Sequence, residues 1–457
     1  MVDYKRFWHL GFGLCLSLIG LLTAPTTAQA VPAYARQTGQ SCVACHAGGQ
    51  FPELTPYGRA FKLTGYTYGS HTIPVSVMAT WGYEHIANTN SPNSGTENFP
   101  KNDSGYFQGF SIFLAGKITD HIGAFFQYAY DPHADAPTAD NPSWQGGWAS
   151  DNLDFRAADR WFSGKTDLIY GATVNNNPTV QDVWNSTPAW GFPYIDSGFM
   201  VEPTVGGTLL EGGLEQQAAG VGAYAYWNKT LYAGLTGYQT ADGVWSFMSQ
   251  GSSFADQQKL KGINPYWRVA LTHEWGPHNA EIGTFGMIAN IYPDNTNPTG
   301  PTNKYTDIGF DAQYQYLLDP NTITAQVSYI SEKINWYSDS VANGDTSNAS
   351  DKVYSFHAKG TYIYRNKYGG SLQYFNIRGT SDMAAYASTD PVEGNLTGTP
   401  NTNGWVAELD WMPIQYVRVG LQYWYYNKFN GSSSNYDGND RSATNNNTLF
   451  LYVWGAI

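Results

Sequence analysis

From about residue 73 the chain is a succession of segments in which apolar and polar residues alternate. In residues 415–425, Val417, Val419, Leu421, Tyr423 and Tyr425 fall on one face, and Arg418, Gly420, Gln422 and Trp424 on the other. In residues 308–316, Phe310, Ala312 and Tyr314 alternate with Gly309, Asp311, Gln313 and Gln315. Ile122, Ala124, Phe126, Tyr128 and Tyr130 repeat the pattern. A period of two over eight to eleven residues is the signature of a β-strand with two different faces.

The connections say how the strands are arranged. Tight polar turns are expected at Thr119-Asp120, Gly164-Lys165, Asn228-Lys229, Gly276-Pro277, Asp319-Pro320-Asn321, Asn366-Lys367 and Met412-Pro413. Between the pairs run long stretches rich in Asn, Ser, Thr, Gly and Asp, at roughly 88–104, 132–150, 176–216, 241–262, 293–303, 335–351, 380–402 and 429–446. One strand at 73–86, seven hairpins and a last strand at 447–457 make about sixteen. Strict alternation of short turns and long loops predicts an all-β fold, an antiparallel transmembrane barrel with short turns toward the periplasm and long loops outside. The last strand places Leu449, Leu451 and Val453 opposite Phe450, Tyr452 and Trp454, and ends on Ile457 rather than on the aromatic residue usual for such barrels.

Composition agrees with a barrel once its lumen is counted. Mean hydropathy is −0.39, which by itself suggests a soluble protein. Yet 16% of residues are aromatic, 49 are Gly and only 13% are charged, and half of every barrel strand faces a polar interior. No later segment reaches eighteen consecutive apolar residues, so no spanning helix is expected. The net charge of −13 argues against a nucleic-acid partner, for which basic patches are required. Lys5 and Arg6, the apolar run 11–22 and Ala28-Gln29-Ala30 read as a secretory signal peptide over 1–30, cleaved after Ala30. The organisation expected is therefore 1–30 signal peptide, 31–70 cofactor segment and 71–457 barrel.

Cleavage removes Cys15 and leaves Cys42 and Cys45, both in C-x-x-C-H with His46. That spacing attaches one covalent c-type haem through two thioethers, with the adjacent imidazole as proximal iron ligand. A disulfide, a redox-active pair or a zinc site are the other uses of such cysteines. A short helix is expected in 37–46 with Thr38 as its cap. A second follows, capped by Thr55, begun by Pro56 and stopped by Gly65, with Tyr57, Phe61 and Thr64 on one packing face. Arg36, Arg59 and Lys62 are candidate partners for the haem propionates. His71, Met78 and His85 are the nearest candidate distal ligands, and no catalytic residue is assigned. So few residues cannot bury a haem alone, so the segment is expected to plug or cap the lumen of the barrel.

The stretch ARQTGQSCVACHAGGQFPELTPYGRAFKLTGY (35–66), followed by some 400 porin-like residues, resembles the outer-membrane fused cytochrome–porin family, the monohaem c-type iron oxidases of iron-oxidising bacteria. The resemblance implies an oxidoreductase that takes electrons from extracellular Fe(II). It would hand them to a periplasmic carrier, a soluble cytochrome or copper protein, in contact with outer-membrane lipid. Cys42 and Cys45 become the attachment sites and His46 the proximal ligand. Lumen acids such as Asp311, Glu408 and Asp410 are candidates for attracting Fe²⁺, or ordinary lumen polarity. A homotrimer is a common assembly of sixteen-stranded porins. The alternatives are a conduit for another extracellular donor or acceptor, and a diffusion porin with a structural haem plug.

Overall fold

The structure is a computed structural model that describes residues 32–89, 102–135, 143–186, 193–250 and 257–457; the expected signal peptide and its cleavage site lie outside these. Sixteen antiparallel strands close into one barrel, each bonded to its sequence neighbours, with the last strand returning to the first. The strands are β1 (Val75–Ile86), β2 (Ser104–Lys117), β3 (Ile122–Asp135), β4 (Gln145–Ser163), β5 (Thr166–Asn175), β6 (Ala218–Trp227), β7 (Leu231–Thr240) and β8 (Asn264–Trp275). They continue with β9 (His278–Ile291), β10 (Asn303–Leu318), β11 (Asn321–Asn335), β12 (Ser350–Tyr364), β13 (Tyr368–Gly379), β14 (Thr402–Ile414), β15 (Val417–Lys428) and β16 (Thr448–Ala456). Closure leaves no unpaired edge, which is what a sheet in lipid requires.

The alternation resolves as expected into an outside and an inside. Leu235, Ile282, Phe310, Leu372 and Leu409 point outward and are exposed, while their neighbours Thr236, Glu281, Asp311, Gln373 and Glu408 are buried inside. Outward Trp161, Trp227, Trp275, Tyr368 and Trp411 mark the short-turn end, and Trp148, Trp405 and Tyr425 the long-loop end. An apolar outer band between two aromatic girdles on a closed barrel is the outer-membrane architecture, with the short turns periplasmic. Among the described residues no helix is long and apolar enough to cross a membrane; the strands do so.

One turn differs from expectation. The chain does not reverse at Met412-Pro413 but three residues on, at Gln415-Tyr416, after a register shift between Trp411 and Ile414. Proline without an N–H reads as a break in a strand, but a bulge at a barrel rim accommodates it. The extra length turns Met412 inward, where it packs with Ile363 against Phe51.

The lumen holds two further segments. The first carries helices α1 (Pro32–Thr38), α2 (Cys42–Cys45) and α3 (Pro56–Leu63). The second comprises residues 176–186 and 193–217 of the long connection after β5, whose Val183 and Trp184 are fully buried beside Leu63. The helices and residues 178–186 pack in the short-turn half, whereas residues 200–214 reach the long-loop end, where Val201 packs with Tyr426 and Phe429 and Leu209 and Leu210 pack with Leu260 and Ile291.

Candidate functional site

Local chemistry shapes the helical segment. Thr55 caps α3, its Oγ accepting from the Gly58 amide at 3.2 Å, and Pro56 takes the first helical position. Gly65 ends the turn with φ +73°, a left-handed conformation suited to glycine. Phe61 and Thr64 are buried as expected, whereas Tyr57, at the start of that face, is exposed. Thr38 is not the cap of the cysteine helix. It is the last residue of α1, its hydroxyl donates back to Tyr34 O at 2.8 Å, and Ser41 precedes α2. Gly39, left-handed at φ +67°, lets the chain turn between the two helices.

α2 is held against the segment that follows it. The Ala47 amide donates to Glu53 O and the Thr55 amide to Cys45 O, both at 2.9 Å. A Cβ on Gly58 would lie 2.2 Å from Cys45 O, so α3 can approach α2 this closely only through a glycine. The barrel wall fixes the pair from below and from the sides. Gln50 Nε2 donates to Ile414 O at 3.0 Å, and the Cys42 thiol faces Gln415 O at 3.6 Å. Glu53 meets Lys359 of β12 at 3.2 Å in a buried ion pair. Gln37 bridges Tyr68 O at 2.8 Å and the Lys117 amide at 2.7 Å.

Above this base lies a cavity of about 1070 Å³, beyond the roughly 300–1,000 Å³ of ordinary ligand sites. Cys42, Cys45 and His46 all line it. The two cysteines are free thiols, not a disulfide. Burial pushes the Cys42 thiol up to about 12 and the Cys45 thiol up to about 11. His46 Nδ1 lies 2.7 Å from Phe51 O. A carbonyl only accepts, so Nδ1 carries the proton and Nε2 keeps its lone pair, the tautomer of a metal-ligating imidazole. Burial also lowers the His46 pKa, which favours that neutral form. Phe51, Phe61, Phe113 and Phe125 give the cavity an apolar wall. Two thiols and a neutral imidazole on one cavity with an aromatic wall fit a covalently attached haem.

The other sequence-chosen residues separate. Lys62 and Met78 line this cavity. Arg36 instead bonds the Val75 and Ile73 carbonyls at the exposed lead-in to β1. Arg59 is buried, with donations to Leu54 O at 2.8 Å, Asn279 at 3.0 Å and Gln315 at 3.4 Å. Neither arginine lines the cavity. His71 is exposed, with Nε2 3.1 Å from Ile118 O. His85 points out of the barrel and pairs with Asp103 at 2.7 Å. Seven residues separate Met78 from His85, so on one strand they face opposite sides.

The lumen acids do face inward, but they are engaged. Arg418 binds Asp410 at 2.6 Å and also Glu408, and its guanidinium lies 4.1 Å over the Phe51 ring. Arg268 gathers Asp311 at 2.6 Å, Glu281 at 3.1 Å and Asp182 at 3.3 Å. Ordinary lumen polarity describes them better than an open cation site. Sequence reasoning left the role of 176–216 open. Its Asn185 donates to Pro52 O and its Trp184 sits 6.0 Å from the Arg59 guanidinium. Val180, Val183 and Trp184, with Val201, Leu209, Leu210 and Leu214 further on, are the signal that its described residues pack inside.

No family model and no curated protein matches the chain. Among solved structures it is similar to a loop-deletion form of OmpT of Vibrio cholerae, at 10% identity over 84% of this chain and 99% of that one, TM-score 0.41. OmpF of Salmonella typhi with daunomycin matches at 9% over 84% and 97%, TM-score 0.42. The outer-membrane channel DcaP of Acinetobacter baumannii matches at 10% over 84% and 96%, TM-score 0.41. The class rests on the chain's own topology: this is a sixteen-stranded outer-membrane β-barrel with a porin-like wall.

Proposed function

We propose that the protein is an outer-membrane monohaem cytochrome–porin that oxidises extracellular Fe(II) and delivers the electron to a periplasmic carrier. The observation that carries this reading is the C-x-x-C-H motif seated inside a closed barrel, with both thiols and the imidazole on one lumen cavity. A haem c bound there supplies reversible one-electron chemistry at its iron. The chain's own residues do the rest. Cys42 and Cys45 fix the group, Phe51 O orients His46, and the wall of the barrel provides the burial that so short a segment lacks. The substrate step balances as loss of one electron from aqueous Fe(II), giving Fe(III) outside and one reducing equivalent at the site.

Charge supports that direction. The eight long-loop segments carry eighteen acidic residues against four basic ones. The seven short turns carry Lys165, Lys229, Arg365 and Lys367 against Asp120 and Asp319. A negative outer mouth raises the local concentration of a divalent cation.

The test is anaerobic stopped-flow absorbance on protein matured with haem in outer membranes, against Cys42→Ala/Cys45→Ala. The expected result is Fe(II)-driven reduction of the haem, absent in the double variant. A haem that stays oxidised under Fe(II) but accepts electrons from a milder donor replaces iron with another substrate. Absence of covalent haem, with ion conductance equal in wild type and variant, leaves a diffusion porin.

A further inference from the structure

Two acids of the inner wall stand directly opposite each other with no cation between them. Asp307 of β10 is paired in register with Glu332 of β11. They are 2% and 3% exposed, and their carboxyl groups hydrogen-bond each other. Asp307 Oδ1 meets no N–H or hydroxyl donor, and a bond between two carboxyls needs a proton on one of them. Elsewhere in the lumen crowded acids are gathered by an arginine, Arg268 at Asp311 and Glu281, Arg418 at Glu408 and Asp410. Among the described residues no lysine, arginine or histidine bonds Asp307 or Glu332. The nearest lysines along these strands, Lys304 and Lys333, are exposed on the outer face.

The pair is a docking point for the inward segment. The Leu209 amide donates to Glu332 Oε2 at 2.7 Å, and the Leu210 amide to Asp307 Oδ2 at 3.1 Å. Leu209, Leu210 and Leu214 close over the site, packed with Phe285, Met287 and Ile330. Thr208, Glu211, Gly212 and Gly213 of the same turn border the lumen cavity. The other titratable groups around the pair are Glu211 of the turn, Tyr305 of β10, Tyr386 of the connection after β13 and, through Glu211, His357 of β12. Glu211 is engaged, accepting from the Thr208 amide at 2.7 Å and lying 3.1 Å from His357. Asp351, further along β12, accepts from Trp336 at 2.6 Å, Thr380 at 2.6 Å and Asn348 at 2.8 Å.

We propose that Asp307 and Glu332 are a proton-sharing latch, holding residues 208–214 on the inner wall while they share one proton and releasing them when it is lost. Two carboxylates this close in apolar surroundings resist ionising together, so the pair keeps one proton. One negative charge is then spread over two carboxyls and two amide donors. As pH rises the proton leaves, and two like charges face each other beneath three leucines. Burial with neither water nor a cation makes that state costly. Water reaches the pair when the leucine turn lifts, so the turn is the part that yields, and the cavity it borders widens. The latch involves no cofactor, so it stands or falls apart from the cytochrome reading.

The experiment is hydrogen exchange by mass spectrometry on the full-length outer-membrane protein in detergent between pH 5 and pH 9, with rates corrected for the intrinsic pH dependence of amide exchange. In wild type, protection of the peptide spanning 208–214 should fall about tenfold or more toward the alkaline end, while peptides from β10 and β11 keep theirs. Asp307→Asn/Glu332→Gln retains both amide acceptors and cannot ionise, so its protection stays level across the range. Each single variant, Asp307→Asn or Glu332→Gln, leaves one carboxyl without a like-charged partner and flattens the profile as well. Level protection in wild type overturns the proposal and needs no variant. A fall that persists unchanged in the double variant overturns it too; its loss in His357→Gln would then place the switch at the Glu211–His357 contact.

Discussion

Two sides of the lumen grip the same helical segment by opposite chemistry. Toward β1–β3 the contact is apolar: Phe61 and Tyr66 pack with Phe113, Ala115 and Phe125, and Tyr34 and Met78 lie against them. Tyr34 stacks on Tyr66 at 5.3 Å and meets Phe61 edge-on at 4.9 Å. Toward β8–β10 the contact is ionic and hydrogen-bonded, with Arg59 on Asn279, Gln315 and, at 3.9 Å, Glu274. Behind it one Arg268 guanidinium answers three carboxylates. The difference separates a side that anchors by charge from a side that packs by apolar contact. The polar side spends its groups on anchoring the segment, while the apolar side supplies the aromatic wall against which the proposed haem would lie. Met78 is on the apolar side.

Gly58→Val attacks the segment where both sides depend on it. Its side chain would strike the Cys45 carbonyl, so α3 must leave α2. Covalent haem should fall to background by haem-stained gel, while the barrel still migrates as a folded, heat-modifiable band. Next come the two sides separately, read by guanidinium unfolding of the refolded barrel in micelles. Arg268→Leu strands Asp182, Glu281 and Asp311 without their cation and should cost about 3–5 kcal/mol, the usual penalty for breaking a buried ion pair from one end. Phe61→Ala on the apolar side should cost about 3 kcal/mol as a buried cavity. Equal or reversed losses would mean that the ionic side is not the anchor. The smallest change is Tyr34→Phe, which removes a single hydroxyl bond to Ala124 O and should cost about 1 kcal/mol, with haem content unchanged.

The wall was readable because its information is local. A period of two over residues 415–425 needs no knowledge of other strands, and Arg418, Gly420, Gln422 and Trp424 are indeed buried on the inner face. Thr55, Pro56 and Gly65 announce α3 for the same reason. Where reading failed, distant residues had intervened. Pro413 looked like a turn until the bulge that lets Met412 reach Phe51 was seen. For Glu408 and Asp410 the sequence left Fe²⁺ attraction and ordinary lumen polarity both open, and Arg418 on the next strand, bound to both, favours the second.

The sequence by itself determined a closed antiparallel barrel of sixteen strands, its orientation by loop length, and the thiol–thiol–imidazole spacing of Cys42, Cys45 and His46. Backbone period, turn chemistry and helix spacing are properties of adjacent residues. Only the tertiary structure decided that 176–186 and 193–217 fold inward, that Arg59 turns to the wall rather than to the cavity, and that Lys62 and Met78 share the cavity with His46. Those outcomes depend on which strands face each other across the lumen, and on burial that favours pairing of inward charges such as Arg268 and Arg418 with nearby acids.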